Sequence, residues 1–162
     1  MRQILLTALW FPGAVWIVAA SSQRLPGSPC AVTVSNAADR SYGNAQLSTL
    51  LWPDGVIVFE PGGPGFVTRD LALGTKFPWN RYVVGKLRVT GHRTDGDAAP
   101  LRLEAPNGYG DTGFQASYLI FPTPGCWAIS AQVGDHDDSK FEFVTRVVKI
   151  GDGPSWRRGD DR

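Results

Sequence analysis

The stretch that decides the fold reads GFQASYLIFPTPGCWAISAQVG and spans residues 113–134. In each half apolar residues alternate with smaller or polar ones, a period of two that is typical of half-buried β-strands. The prolines and glycine of residues 122–125 separate the halves and are typical of a turn. The stretch therefore predicts two sequential antiparallel strands joined by this turn. In the second strand one face carries the side chains suited to a core, namely Trp127, Ile129, Ala131 and Val133.

A second pair of apolar runs lies earlier in the chain, at residues 47–52 and 56–59, on either side of Pro53-Asp54-Gly55. Proline presets φ and glycine accepts a positive φ, so we predict a hairpin here. Residues 60–65 and 91–99 are rich in turn residues and predict loops, residues 66–80 an irregular segment, and residues 135–140 a polar tip. Shorter apolar or β-branched runs predict four more strands, at residues 31–34, 83–90, 101–104 and 141–150. In the 83–90 strand the alternation predicts that Leu87 and Val89 face inward.

About eight short strands at roughly ten-residue spacing indicate an all-β fold, an antiparallel β-sandwich of about 7–9 strands. A length of 162 residues with 43% hydrophobic residues suits one domain with one core. We expect a signal peptide at 1–20, a flexible N-terminal segment at 21–29, the β-sandwich domain at 30–150 and a disordered tail at 151–162.

The N-terminal residues have the three parts of a secretory signal. Arg2 is a short basic region, residues 4–18 are largely apolar, and Val18-Ala19-Ala20 offers small residues for cleavage near Ser21. We therefore expect an exported protein that is extracellular, periplasmic or at the cell surface. A retained membrane anchor is the alternative, although about 17 apolar residues are at the short limit for a span.

Export bears on the two cysteines, Cys30 and Cys126. In an oxidising compartment two cysteines are expected to pair, which predicts a disulfide that closes most of the domain into one loop. Two unrelated buried thiols are the alternative. Lipid attachment at Cys30 is disfavoured, because residues 26–29 lack the apolar and small pattern that such sites use.

Three segments carry a resemblance to known proteins. Residues 51–66 (LWPDGVIVFEPGGPGF), residues 76–79 (KFPW) and residues 121–127 (FPTPGCW) resemble a group of bacterial exported proteins of unknown function, and the likeness covers nearly the whole mature chain. The resemblance implies an exported protein with an immunoglobulin-like β-sandwich and brings no activity with it. Ala128 and the polar tip at residues 137–140 depart from the pattern, where a glutamate and a shorter turn are expected.

The sequence offers little reactive chemistry. A copper site fails because no methionine follows the turn cysteine and both histidines lie in polar segments; its residues would be His92, Cys126 and His136. A calcium loop fails because the glycine and the distal glutamate are missing; its residues would be Asp135, Asp137 and Asp138. With no serine elbow and no zinc-type histidine pair, we expect no enzyme, no metal and no cofactor. The minority alternative is an uncharacterised hydrolase that would use His92 or His136 as its base.

Aromatic residues beside loops supply a candidate ligand-binding platform, formed by Trp79, Tyr82 and Tyr109. The leading hypothesis is a non-enzymatic module that contacts an unidentified protein or cell-envelope component through its loops or a sheet edge. A small-ligand or carbohydrate binder using the three aromatics is the second. A formal charge of +1 without a basic block argues against nucleic acid. Membrane contact is expected only through an uncleaved signal segment.

Overall fold

The computed structural model describes residues 30–154, and these contain ten β-strands, one 3₁₀ turn at Pro53–Gly55 and no α-helix. The ten strands exceed the expected number, because the strands Ser41–Gly43, Phe66–Val67 and Leu73–Arg81 were not predicted, while the strand predicted at residues 31–34 does not form. The strands are β1 (Ser41–Gly43), β2 (Leu47–Leu50), β3 (Val56–Phe59), β4 (Phe66–Val67), β5 (Leu73–Arg81), β6 (Leu87–Arg93), β7 (Arg102–Glu104), β8 (Gly113–Phe121), β9 (Gly125–Val133) and β10 (His136–Lys149).

The strands form two sheets. The first has the order β1-β2-β5-β8-β7, with β4 also paired to β5, and the second has the order β3-β10-β9-β6. Among the described strands all pairings are antiparallel except that of β3 with β10. One buried cluster draws side chains from both sheets, including Trp79 of the first and Trp127 of the second. This all-β architecture is compatible with the predicted β-sandwich.

The two predicted hairpins are wrong, although their strands exist. β8 lies in the first sheet and β9 in the second, so the turn at 122–124 carries the chain from one sheet to the other. Phe121 and Trp127 on either side of it meet edge to face inside the core, with ring centroids 5.6 Å apart. The Trp127 indole N–H also donates to the carbonyl of Thr123 at 3.1 Å. Burying both rings favours the crossing over a flat hairpin.

The turn between β2 and β3 is a second crossing between the sheets. Asp54 and Gly55 have φ values of 55° and 65°, in the left-handed region. The carbonyl of Gly55 accepts a hydrogen bond from Oγ1 of Thr145 on β10 at 2.9 Å. A Cβ on Gly55 would lie 2.7 Å from Cβ of Val32, so glycine also lets the N-terminal segment pack on this turn.

The segment predicted as irregular forms β4 and β5, and β5 pairs along its whole length with β8. On its other edge β5 pairs with β4 at residues 73–74 and with β2 at residues 79–81, which leaves a gap between them. Pro78 lies in this gap, and its carbonyl accepts a hydrogen bond from Thr49 Oγ1 of β2 at 2.6 Å. The missing N–H of Pro78 faces the same gap, since both groups of one strand residue point to one side.

Other strand boundaries also differ from expectation. Residues 31–34 form no strand, but Thr33 exchanges hydrogen bonds of 2.8 and 2.9 Å with Val144 of β10. β6 covers residues 87–93 rather than 83–90, with Leu87 and Val89 inward as predicted. The polar tip belongs to β10, whose pairing is irregular between residues 136 and 141. Within β10, Thr145 is buried on the inner face between Phe143 and Val147.

The predicted inner face of β9 is confirmed. Trp127, Ile129, Ala131 and Val133 are buried, while the intervening residues are half-buried. Beside them on β10, the ring of Phe143 stacks on that of Phe77 of the first sheet at 5.8 Å with an interplanar angle of 4°, and the Phe77 ring contacts Trp79 at 5.1 Å. Aromatic pairs thus connect the two sheets through the centre of the core.

Gly74 provides a test of close packing in β5. A Cβ at this position would overlap the buried ring of Phe66 on the paired strand β4. We therefore expect Gly74→Ala to lower the free energy of unfolding by about 1–3 kcal/mol in urea denaturation. Gly110→Ala is the matched control, because its Cβ would meet nothing closer than the Thr112 carbonyl oxygen at 3.8 Å. Equal stability of the two variants would contradict the steric explanation.

The predicted signal peptide at 1–20 and the flexible segment at 21–29 lie outside the described residues, as do residues 155–162 of the predicted tail. The described chain continues past Ile150, where the Gly153 N–H donates to its carbonyl at 3.1 Å. Gly153 and Pro154 are buried. The first four residues beyond the predicted domain boundary therefore form a turn that ends in two buried residues.

Candidate binding site at the loop end

The disulfide between Cys30 and Cys126 is present, with the Cα atoms 5.6 Å apart, and confirms the predicted pairing. Its formation uses the Cys30 sulfur that lipid attachment would need. A disulfide of this kind suggests an oxidising, exported environment. Within residues 30–154, no helix is long and apolar enough to cross a membrane.

One end of the molecule gathers the loops at 44–46, 82–86, 105–112 and 134–135. The 82–86 loop lies at the centre and is tied to the other three by backbone hydrogen bonds. Tyr82 donates to the Gln46 carbonyl at 2.8 Å, and Gly85 donates to the Asp111 carbonyl at 3.3 Å. The 134–135 loop donates back through the Gly134 N–H to the carbonyl of residue 86 at 2.8 Å. We call this region the loop end.

Arg81 is buried at the base of the loop end, where β5 meets the 82–86 loop. It is the last residue of β5, on the inner face, and is only 4% exposed. Its guanidinium donates from Nη1 to the Gly85 carbonyl at 2.6 Å and from Nη2 to the Gly110 carbonyl, so it links two of the loops. No carboxylate within residues 30–154 forms a salt bridge with it. A buried cation paired only with carbonyls keeps much of its positive potential.

The three predicted platform residues are not brought together. Trp79 is fully buried in the core and its indole N–H donates to Ser117 Oγ at 2.9 Å, so it is not available to stack on a ligand. Tyr82 is 60% exposed and its hydroxyl lies 3.2 Å from Ser48 Oγ. Tyr109 is half-buried and packs edge to face on Phe114 at 6.0 Å. The prediction for Trp79 is wrong, because β5 holds this side chain on the buried inner face of the first sheet.

Tyr82 lines an open groove of about 550 Å³ beside the loop end. Residues between 34 and 44 supply most of its lining, and Ser48 and Tyr82 supply the rest. The N–H of Ser41 donates to Asp39 Oδ1 at 3.0 Å, and this hydrogen bond lowers the pKa of the Asp39 carboxyl. The groove therefore combines an aromatic ring, hydroxyls and a carboxylate that is ionised at neutral pH.

Tyr109 lines a different groove of about 370 Å³, between the 82–86 and 105–112 loops. Arg81 and Gln115 contribute to its lining from the inner face of the first sheet, and Lys86 and Asp111 add charges of opposite sign. Sequence reasoning missed Arg81 and Gln115. When β5 is taken as a strand, alternation from Leu73 through Trp79 places Arg81 on the buried face. A charged side chain is rare at a buried position, so this placement indicates a specific role for Arg81.

The residues weighed for metals do not converge. Cys126 is committed to the disulfide, and His136 Nε2 lies 3.2 Å from the Val84 carbonyl oxygen. Asp135 pairs with Arg88 at 2.8 Å, while Asp137 accepts from an amide side chain at 3.2 Å. In the described part of the chain no group of three or more His, Cys, Asp or Glu is placed to hold a metal ion.

At the opposite end of the molecule, Asp70 gives a prediction for pH dependence. Two hydrogen bonds of 2.8 and 3.1 Å from Arg102, with a further one from Thr68, lower its pKa to about 2 from 3.8. A lowered carboxyl pKa contributes stability above pH 4 that is lost as pH falls from 4 to about 2. Because both side chains are about half exposed, we expect a contribution of about 0–1 kcal/mol.

The measurement is a carbon-detected NMR titration of the Asp70 carboxyl. We expect Arg102→Gln to bring its pKa back towards 3.8, and Arg88→Gln, which removes a different surface pair, to leave it unchanged. An Asp70 pKa near its ordinary value in the unaltered protein would contradict the assignment.

No family model and no curated protein matches the chain.

Proposed function

We propose that the chain is an exported, non-enzymatic module with immunoglobulin-like topology that binds a partner through its loop end. The strand order supports the topology. If β2, β5, β6, β7, β8, β9 and β10 are named A to G, the first sheet reads β1-A-B-E-D, with β4 also paired to B, and the second reads β3-G-F-C. The constant-type immunoglobulin fold has the sheets ABED and CFG, so β1, β3 and β4 are additions here.

The observation that carries the binding proposal is the central loop of the loop end. Tyr82 and Val84 are 60% and 64% exposed, yet their loop is held by hydrogen bonds to three neighbouring loops. Large apolar side chains on a fixed loop bury area against a partner with little loss of conformational entropy. A protein or a cell-envelope component is the partner class we propose.

Export is proposed on two observations. The disulfide supports an oxidising compartment, and residues 1–20 have the composition of a signal peptide. Membership in the bacterial exported group that residues 121–127 resemble is likewise a proposal. Mass analysis of protein secreted by its native host tests export, with a mature N-terminus near Ser21 and no alkylatable thiol before reduction as the expected result.

The binding proposal is tested by photocrosslinking on cells of the native host. A photoreactive residue replaces Val84, and the matched control replaces Leu71, which is 67% exposed at the opposite end. We expect one discrete adduct from position 84, absent from position 71 and weakened by Tyr82→Ala. Equal adducts from both positions, or none from position 84, would overturn the proposal.

A second candidate function is binding of a small hydroxylated ligand in the Tyr82 groove. The observation that favours it is the exposed Tyr82 ring, whose hydroxyl lies 3.2 Å from Ser48 Oγ, in a groove that the ionised Asp39 also lines. Aromatic faces and carboxylates are suited to the apolar and hydroxyl sides of a sugar. Glycan-array binding that Tyr82→Ala and Asp39→Asn both abolish, with folding intact, would support it. An array on which the protein binds no glycan would exclude this second function.

A further inference from the structure

The Tyr109 groove contains two polar atoms without partners. Arg81 and Gln115 are 4% and 8% exposed, and both line the groove. Arg81 Nε and Gln115 Oε1 are buried and have no hydrogen-bond partner in the structure as described. Buried polar groups are nearly always hydrogen-bonded, so two unpartnered atoms in the lining of one groove require an explanation. We call Arg81 Nε and Gln115 Oε1 the orphan atoms.

The strand register brings these two side chains together. On the inner face of the first sheet, Trp79 lies opposite Gln115 and Arg81 lies opposite Gly113. Arg81 and Gln115 are therefore diagonal neighbours, within reach of one another's long side chains. Because Gly113 has no side chain, the space opposite Arg81 is left for the guanidinium and whatever binds beside it. The two orphan atoms therefore belong to one site.

The orphan atoms are complementary in kind. Nε of Arg81 carries a hydrogen to donate, and Oε1 of Gln115 has lone pairs to accept. An anion would satisfy the first and be repelled by the second. A hydroxyl or a carboxamide satisfies both, because it accepts at oxygen and donates through its own O–H or N–H. Lys86 and Asp111 at the same groove bring opposite charges and so do not favour either sign of ligand.

We propose that the Tyr109 groove binds a neutral ligand whose hydroxyl or carboxamide group accepts from Arg81 Nε and donates to Gln115 Oε1. The apolar part of the ligand packs against Tyr109 and Pro106 of the 105–112 loop. Both orphan atoms are closed to solvent. Binding therefore requires the Gln115 side chain to rotate, while Arg81 keeps its bonds to Gly85 and Gly110.

This inference rests on the proposed binding role of the loop end, but it has a separate readout. The experiment follows the side-chain Nε–H signal of Arg81 by NMR in the full mature protein. The probes are N-acetylglucosamine, which carries hydroxyls and an acetamide, N-methylacetamide, which carries the amide alone, and acetate, which is the anionic match. A crosslink at Val84 can fail while this signal responds, and the reverse also holds.

We expect N-acetylglucosamine to shift the Arg81 Nε–H signal saturably at millimolar concentration, with acetate at least tenfold weaker. N-methylacetamide shows which group of N-acetylglucosamine contacts the orphan atoms. If it also shifts the signal, the contact is made by the carboxamide; if it does not, the contact is made by a hydroxyl. Gln115→Met is expected to weaken binding at least tenfold without loss of folding, because it removes an unpaired acceptor and keeps the side-chain length. Tyr109→Ala, at the half-buried wall, is expected to weaken it severalfold.

Three results would overturn the proposal. The first is an Arg81 Nε–H signal that neither neutral probe shifts, together with NMR evidence that only a bound water contacts this N–H. The second is a response to acetate that equals or exceeds that to N-acetylglucosamine. The third is unchanged binding in Gln115→Met, which would place the probe elsewhere.

Discussion

Replacing Cys30 and Cys126 together by alanine is expected to lower the free energy of unfolding by about 4–5 kcal/mol. The bridge joins residues 96 positions apart, and the chain-entropy description of disulfides gives a value in this range for a loop of about 100 residues. Losses of this size approach the whole stability of a small domain. The doubly substituted protein is therefore expected to be largely unfolded at 37 °C.

Urea denaturation at 25 °C of the oxidised protein, the reduced protein and the double variant measures this effect. The reduced protein is the internal control, because it keeps both side chains and loses only the bond. Reduction and substitution should lower stability by similar amounts. A difference below about 1 kcal/mol between oxidised and reduced protein would mean that the N-terminal segment is held mainly by other contacts, such as Thr33 with Val144.

Trp79→Ala is expected to lower the free energy of unfolding by about 3–5 kcal/mol. The side chain is fully buried, contacts Phe77 with ring centroids 5.1 Å apart and donates to Ser117. Truncation would leave a cavity between the two sheets and an unpaired hydroxyl at Ser117. The measurement therefore distinguishes a core role for Trp79 from the ligand contact that the sequence predicted for it.

Tyr82→Ala is the matched control, since Tyr82 lies on the same chain segment but is largely exposed. We expect its stability to change by about 0.5 kcal/mol or less. Trp79→Phe keeps a ring in the core and should lose less than Trp79→Ala, while Ser117→Ala tests the hydrogen bond alone. A Trp79→Ala protein that unfolds at the same denaturant concentration as the unaltered protein would contradict the burial of this side chain.

The sequence predicted which residues face inward better than it predicted which strands are neighbours. Alternation identified the buried face of β9 and the inward Leu87 and Val89 of β6. It failed for β5, because proline and glycine within that strand hide its period. Pro78 is accommodated by a gap in the pairing along one edge, which no local pattern reveals.

The candidate site was predictable only in part. Tyr82 and Tyr109 lie in loops, in agreement with the prediction that these aromatic residues lie in or beside loops. Arg81 and Gln115 were missed, because their significance depends on burial, and burial depends on the pairing of β5 with β8. A charged residue in a short motif reads as exposed until its strand is known to lie inside a sheet.

The sequence by itself determined the all-β class, the inward face of several strands and, with only two cysteines present, the identity of the disulfide partners. These properties follow from side-chain period and composition, which are local. The tertiary structure alone decided that both turn-linked strand pairs cross between sheets and that four loops meet over Arg81. Strand partnership is decided by burying rings such as Phe121 and Trp127 between two sheets, and that energy arises only when distant segments pack together.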